Sequence, residues 1–204
     1  MKILFLGDSI TAGVGASVPH NKYVEIVKAR LNAVARNYGI SGSRIARQRL
    51  GDNVATNDWD FQQRAIVMDK IADYVFVFGG TNDLGHGNAE FGEKGSTDPY
   101  TFWGAMENLT EYLIDTYGKE KLCFLLPLHR AEENKANGKT LADYVNVMKE
   151  LLTEKGIDFL DFYNSGPKKP LSKEPNEFFL DGLHPNEKGH LWIAEQVINY
   201  IKTK

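Results

Sequence analysis

Three side chains in this sequence have the types and spacing that acyl transfer requires: Ser9, Asp181 and His184. An unassisted serine hydroxyl is barely ionised near neutrality, so it attacks a carbonyl well only when a base takes its proton. Asp181 and His184 stand three residues apart, which lets a carboxylate hold one imidazole nitrogen while the other faces a crevice. If the fold brings Ser9 within hydrogen-bond reach of His184, nucleophile, orienting acid and base are present in the order Ser, Asp, His. The competing reading is that Asp8 and Ser9 cap a helix and that Asp181 and His184 are ordinary residues before another one.

The elements that must position these groups alternate along the chain. Residues 2–6 read as a short strand buried on both faces, and Gly7-Asp8-Ser9-Ile10-Thr11 follows at its carboxyl end. That rim is where open α/β sheets hold their ligands. Val24, Val27 and Leu31 mark a helix over residues 23–35, and residues 37–43, with two glycines and two serines, mark a loop leaving a second strand. One helix is predicted around residues 61–68, and no motif is placed elsewhere between the second strand and Asp73. Residues 74–78 form the clearest strand, ending in Gly79-Gly80-Thr81-Asn82-Asp83. A glycine-rich loop runs from Leu84 to Thr97, and Asp98-Pro99 start a helix carrying Met106, Leu109, Leu113 and Tyr117.

Further on, strands are predicted at 121–127 and 157–162, with an amphipathic helix at 141–152 between them. Asp181-Gly182-Leu183-His184-Pro185-Asn186 then precedes a final helix bearing Ile193, Ala194, Val197, Ile198 and Ile201 on one side. This alternation predicts the α/β class: a three-layer α/β/α sandwich on a five-stranded, mostly parallel sheet with flavodoxin-like strand order.

At 204 residues the chain fits one domain, 1–204, and 42% hydrophobic with 25% charged residues is the balance of a soluble globular protein. A net charge of −3 provides no basic field for phosphate backbones, so nucleic acid is not an expected partner. No stretch approaches the roughly 18 apolar residues of a spanning helix, and the first residues lack a signal-peptide pattern. A cytoplasmic protein without membrane association is expected. The single Cys123 excludes an internal disulfide, and its apolar run makes it a core residue.

Four segments, Gly7-Asp8-Ser9-Ile10, Ile40-Ser41-Gly42, Gly80-Thr81-Asn82-Asp83 and Asp181-Gly182-Leu183-His184-Pro185-Asn186, together resemble the four sequence blocks of the GDSL hydrolases, the SGNH superfamily. The resemblance implies Ser9 as nucleophile, His184 as the base that later returns the proton, and Asp181 as the group that orients the imidazole. It implies an oxyanion hole made of the Ser9 and Gly42 backbone N–H groups and the Asn82 side-chain amide. Gly39 competes with Gly42 for the glycine role; the Ile-Ser-Gly pattern favours Gly42, while Gly39 ends the strand. Asp8 and Asp83 read as residues that brace loops by hydrogen bonding. Ser43 stands where many relatives carry an acidic residue. The Gly-x-Ser-x-Gly elbow of α/β-hydrolases is absent from the sequence.

The expected activity is therefore that of a serine esterase, lipase/acylhydrolase-like, acting on small acyl or acetyl esters, carbohydrate esters included, through an acyl-enzyme. Its partner is a small-molecule ester, and no cofactor or metal is expected. An acyltransferase would use the same acyl-enzyme, with a sugar hydroxyl in place of water. A metal-dependent phosphoesterase needs converging ligands, and the five histidines show no paired spacing apart from Asp181 and His184. A non-catalytic binding module would not require Ser9, Asn82, Asp181 and His184 together. Residues 84–100, with Phe91, Tyr100, Phe102 and Trp103 in or near them, are expected to act as a lid or specificity loop, the alternative being that these aromatics are core. His129 and Arg130 read as solvated loop charges or as substrate contacts.

Overall fold

Lys2–Gly7 form β1, and every residue after Lys2 in it is buried, because strands lie on both sides of it and helices cover both faces. The structure, a computed structural model, describes residues 1–48, 60–85, 89–134 and 138–204. In chain order, α1 (Ser9–Ala12) leaves β1 at once, and α2 (Tyr23–Leu31) leads to β2 (Val34–Gly39). Then come α3 (Phe61–Ile66), β3 (Tyr74–Phe78), α4 (Thr81–Gly85) and α5 (Phe102–Tyr117). The chain finishes with β4 (Leu122–Leu125), α6 (Leu141–Lys155), β5 (Asp158–Leu160), α7 (Phe162–Ser165) and α8 (Glu187–Lys202).

The sheet has the order β2-β1-β3-β4-β5, and every pairing is parallel. This is the expected flavodoxin-like order, with the switch point between β1 and β3. The period-two alternation of strand side chains builds two cores. Leu4, Leu6, Val75, Val77, Leu122 and Phe124 pack with α3, α5 and α6 on one face. Ile3, Phe5, Phe76, Phe78, Cys123 and Leu125 pack with α2, α7 and α8 on the other. Cys123 is thus a core residue, and burial raises its thiol pKa far above the ordinary value. Among the described residues, no helix is long and apolar enough to cross a membrane.

Several boundaries differ from expectation. Helix α2 stops at Leu31, where Asn32 takes up a left-handed conformation at φ 47°, and β2 runs on through Asn37 to Gly39. Those polar residues join the sheet because β2 is an edge strand, paired through its backbone to Phe5, Leu6 and Gly7. Helix α5 is capped by Thr101, whose hydroxyl accepts the Gly104 N–H at 3.1 Å; Asp98 instead closes a turn by accepting the Tyr100 N–H. Helix α6 continues to Lys155, and Phe162 belongs to α7 instead of the fifth strand.

Of the segment expected to act as a lid, residues 86–88 lie outside the described residues. Phe91 meets Tyr144 edge-on at 5.1 Å, and Phe102 and Trp103 are buried in the core with α6. Lys94 is paired with Glu150, at 2.7 Å, and with Glu154 of α6. This part of the loop is tied to α5 and α6 by aromatic packing and ion pairs; Phe102 and Trp103 are core residues with Phe91 packed against them, and Tyr100 is half-buried outside that core.

Gly39 ends β2 against α1, and a Cβ there would sit 2.2 Å from the Ala12 backbone nitrogen. Gly39→Ala is expected to lower unfolding stability by about 1–3 kcal/mol, read as a lower urea midpoint at unchanged slope. An unchanged midpoint would show that this contact does not constrain the fold.

Candidate active site

Ser9 and Asn82 stand in the short helices α1 and α4 that follow β1 and β3, Gly42 in the loop after β2, and Asp181 and His184 in the loop before α8. Asp8 caps α1 by accepting the Ile10 N–H at 2.9 Å, which places Ser9 in the first turn beyond β1. From the other end of the chain, Asp181 accepts the backbone N–H groups of Leu183 at 3.0 Å and His184 at 2.8 Å. The Leu180 N–H donates to the His184 carbonyl at 2.8 Å, so residues 180–184 form a closed turn, with Gly182 at φ 75°.

The two loops meet. His184 Nε2 lies 2.9 Å from Ser9 Oγ, and His184 Nδ1 lies 2.7 Å from Asp181 Oδ2. Ser9 is buried to 6% exposure, whereas the Asp181 side chain is partly open to solvent. Burial alone would raise the Asp181 pKa, but the His184 backbone N–H, the His184 ring and the Leu183 N–H outweigh it and hold the carboxyl below its ordinary value. Asp181 is therefore an anion near neutrality, able to stabilise an imidazolium.

Contacts behind the pair keep the loops together. Gly15, at φ 96°, lets the backbone pass so close to Pro185 that a Cβ would lie 2.0 Å from the Pro185 oxygen. His190 of α8 is buried; its Nδ1 accepts the Tyr23 N–H at 3.4 Å, so Nε2 carries the proton and donates to the Val14 carbonyl at 3.0 Å. Burial lowers the His190 pKa, which favours this neutral, bridging form.

Gly42 and Asn82 line the same cleft of ≈350 Å³ as Ser9 and His184, together with Val14, Ser41 and Leu183. Gly42 sits at φ 78°, and its N–H has no hydrogen-bond partner among the described residues. The Ser9 N–H is the first of α1 and so one of the donors that a helix start leaves unpaired. Asn82 uses one amide hydrogen to bond the Ser43 carbonyl at 3.0 Å, and an amide has two. Gly39, by contrast, is the last residue of β2.

Asp83 is buried and accepts the N–H groups of Ile45 at 3.0 Å and Ala46 at 2.8 Å, bracing the loop after Gly42. Arg130 is neither free in solvent nor in the Ser9 cleft. It donates to the Thr81 carbonyl at 2.9 Å, and its loop is tied to the Asp181 turn by the Ala131 N–H donating to the Gly182 carbonyl at 2.7 Å. His129 Nδ1 pairs with Glu133 Oε1 at 2.7 Å. Sequence reading missed Arg64, which donates to Ser43 Oγ at 2.5 Å, to the Gly7 carbonyl at 2.7 Å and to the Tyr38 carbonyl. A signal existed, since Arg64 lies on the buried stripe with Phe61, Ala65 and Met68. Among the described residues, no group of three His, Cys, Asp or Glu side chains could hold a metal ion.

The strand order, with Ser9 just beyond the carboxyl end of β1, defines the class: an α/β/α sandwich of the SGNH-hydrolase fold. The chain belongs to the GDSL-like lipase/acylhydrolase family, whose profile matches residues 5–192. It is similar in structure to a protein from Lactobacillus plantarum, at 26% identity and TM-score 0.85, over 99% of this chain and 96% of the other. It shares its fold with the lipase/acylhydrolase from Enterococcus faecalis, at 21% identity and TM-score 0.66, over 99% and 95% of the two chains. The same holds for a carbohydrate acetylesterase family member from Sinorhizobium meliloti, at 16% identity and TM-score 0.67, over 99% and 97%. Comparison with curated proteins finds no match.

Asp8 provides a test of the buried electrostatics. Burial raises its pKa from 3.8 to about 6, against the opposing pull of the Ile10 N–H and of the charges on His184 and Arg64. A folded-state pKa above the unfolded one stabilises the fold fully below the unfolded pKa of 3.8, and that contribution is lost as pH rises through about 6. Asp8→Asn keeps the cap acceptor but cannot ionise. Its unfolding free energy relative to wild type is expected to rise by about 2 kcal/mol between pH ~4 and pH ~7. Parallel urea-unfolding titrations of the two proteins measure it, and a pH-independent difference would contradict it.

Proposed function

We propose that this chain is a serine ester hydrolase that acts on small acyl or acetyl esters, carbohydrate esters included, through a covalent acyl-enzyme. The observation that carries this reading is the pair of hydrogen bonds at 2.9 Å and 2.7 Å linking Ser9 Oγ, the His184 ring and Asp181. Family membership supports the general class, hydrolysis of acyl bonds. The cleft supports a small acyl group: it measures ≈350 Å³ and offers Val14 and Leu183 as its apolar walls.

In this mechanism the Ser9 hydroxyl proton passes to His184 Nε2 as Oγ bonds to the ester carbonyl carbon. The carbonyl oxygen becomes an oxyanion among the Ser9 N–H, the Gly42 N–H and the second amide hydrogen of Asn82. Asp181 stabilises the imidazolium, which then protonates the departing alkoxide as the C–O bond breaks. Water repeats the sequence on the acyl-enzyme: His184 takes a proton from it, the carbonyl is attacked, and Ser9 leaves with the proton restored.

Ser9→Ala and His184→Ala are each expected to lower kcat on a short aryl ester by at least about 10³-fold, and Asn82→Ala by about 10²–10³-fold. Wild-type Ser9 is expected to be labelled by a fluorophosphonate, with Ser9→Ala unlabelled. Undiminished hydrolysis by Ser9→Ala would overturn the reading. So would loss of wild-type hydrolysis on addition of a strong chelator.

A further inference from the structure

We infer that Arg64, a residue of the short helix α3 with no place in the proposed chemistry, is the positioning residue that holds the three oxyanion donors in register. The residue is buried to 3% exposure, and its guanidinium faces the Phe61 ring at 5.0 Å. Its donors reach three separate pieces of chain: the Gly7 carbonyl at the end of β1, the Tyr38 carbonyl near the end of β2, and the Ser43 hydroxyl.

Each contact leads to one proposed donor. Gly7 stands two residues before Ser9, so anchoring its carbonyl fixes where the Ser9 N–H begins. Ser43 Oγ, while accepting from Arg64, donates to the Ile40 carbonyl at 2.6 Å and closes the turn that carries Gly42. The Ser43 carbonyl in turn accepts Asn82 Nδ2 at 3.0 Å and aims that amide. One planar cation thus ties together the N–H of Ser9, the N–H of Gly42 and the amide of Asn82, without touching the cleft.

A guanidinium suits this task because it offers five N–H donors in a fixed fork, whereas an ammonium is a single point of charge on a flexible stem. Burial opposes the charge and lowers the Arg64 pKa to about 10, while Asp8 and Asp60 act in the other direction, so the group remains a cation near neutrality.

The inference rests on the esterase reading for its kinetic arm but not for its structural one. The test compares Arg64→Lys and Ser43→Ala with wild type, by kinetics on a short aryl ester and by amide hydrogen exchange. Arg64→Lys keeps the charge and is expected to lower kcat by about 100-fold, the scale of a small misplacement of catalytic groups, with KM within about threefold. Ser43→Ala removes one arm and is expected to lower kcat by about tenfold. In both, amides of residues 40–43 are expected to exchange faster while those of β1 and β3 keep their protection.

Three results overturn the inference: a folded Arg64→Lys protein whose kcat is within about threefold of wild type, kcat falling only in step with loss of core-strand protection, or Ser43→Ala with unchanged kcat and unchanged exchange. The last decides the matter if Arg64→Lys does not fold. A wild-type protein inactive on esters and unreactive to fluorophosphonate would sink the esterase reading alone, and the exchange comparison would still decide whether Arg64 braces the turn.

Discussion

The organisation of this molecule depends on bringing an imidazole from near one end of the chain to within 2.9 Å of a hydroxyl near the other. A typical hydrogen bond contributes only about 1 kcal/mol net, so this contact cannot gather two loops by itself. It forms because other interactions have already placed them. Helix α8 packs with α2 and the strands in one core, Gly15 admits Pro185 at close range, and His190 ties Val14 to the start of α2. The contact between Ser9 and His184 is a consequence of packing.

A second constraint operates at the carboxyl edge of the sheet, where the loops carry polar groups that burial would otherwise penalise. Asp8, Asp83, Arg64 and Asn82 are all nearly inaccessible to solvent. Each finds its partners chiefly in the backbone of this edge: Asp8 in Ile10, Asp83 in Ile45 and Ala46, Arg64 in the strand-end residues Gly7 and Tyr38, Asn82 in Ser43. An unsatisfied buried group of this kind costs about 1–3 kcal/mol, so the loops can shift only by breaking several such bonds together. A site that stabilises developing charge benefits from donors that do not reorganise during the reaction.

Much of this was legible in the sequence, and the physical reasons differ by element. The central strands announced themselves because burial on both faces leaves unbroken apolar runs, and residues 74–78 coincide with β3. Ser9 is legible at a strand end and Asp181 and His184 before the last helix, while Gly42 and Asn82 enter through the family resemblance; the structure gathers Ser9, Gly42, Asn82 and His184 around one cleft, with Asp181 behind His184. Strand β2 was read too short because an edge strand is held by backbone bonds to one neighbour and tolerates Arg36 and Asn37. The cap of α5 was misplaced because Asp98, Ser96 and Thr101 are all capping types, and only the path of the chain decides which one meets the helix. Arg64 leaves no local pattern in the sequence because its partners are carbonyls and a hydroxyl distant along the chain.

The separation of 175 residues between Ser9 and His184 has a consequence for biosynthesis. Ser9 is synthesised before His184, and the two meet only when α8 docks against α2. On the proposed esterase reading, Ser9 is an ordinary alcohol until then, and its reactivity would report complete assembly of the sandwich.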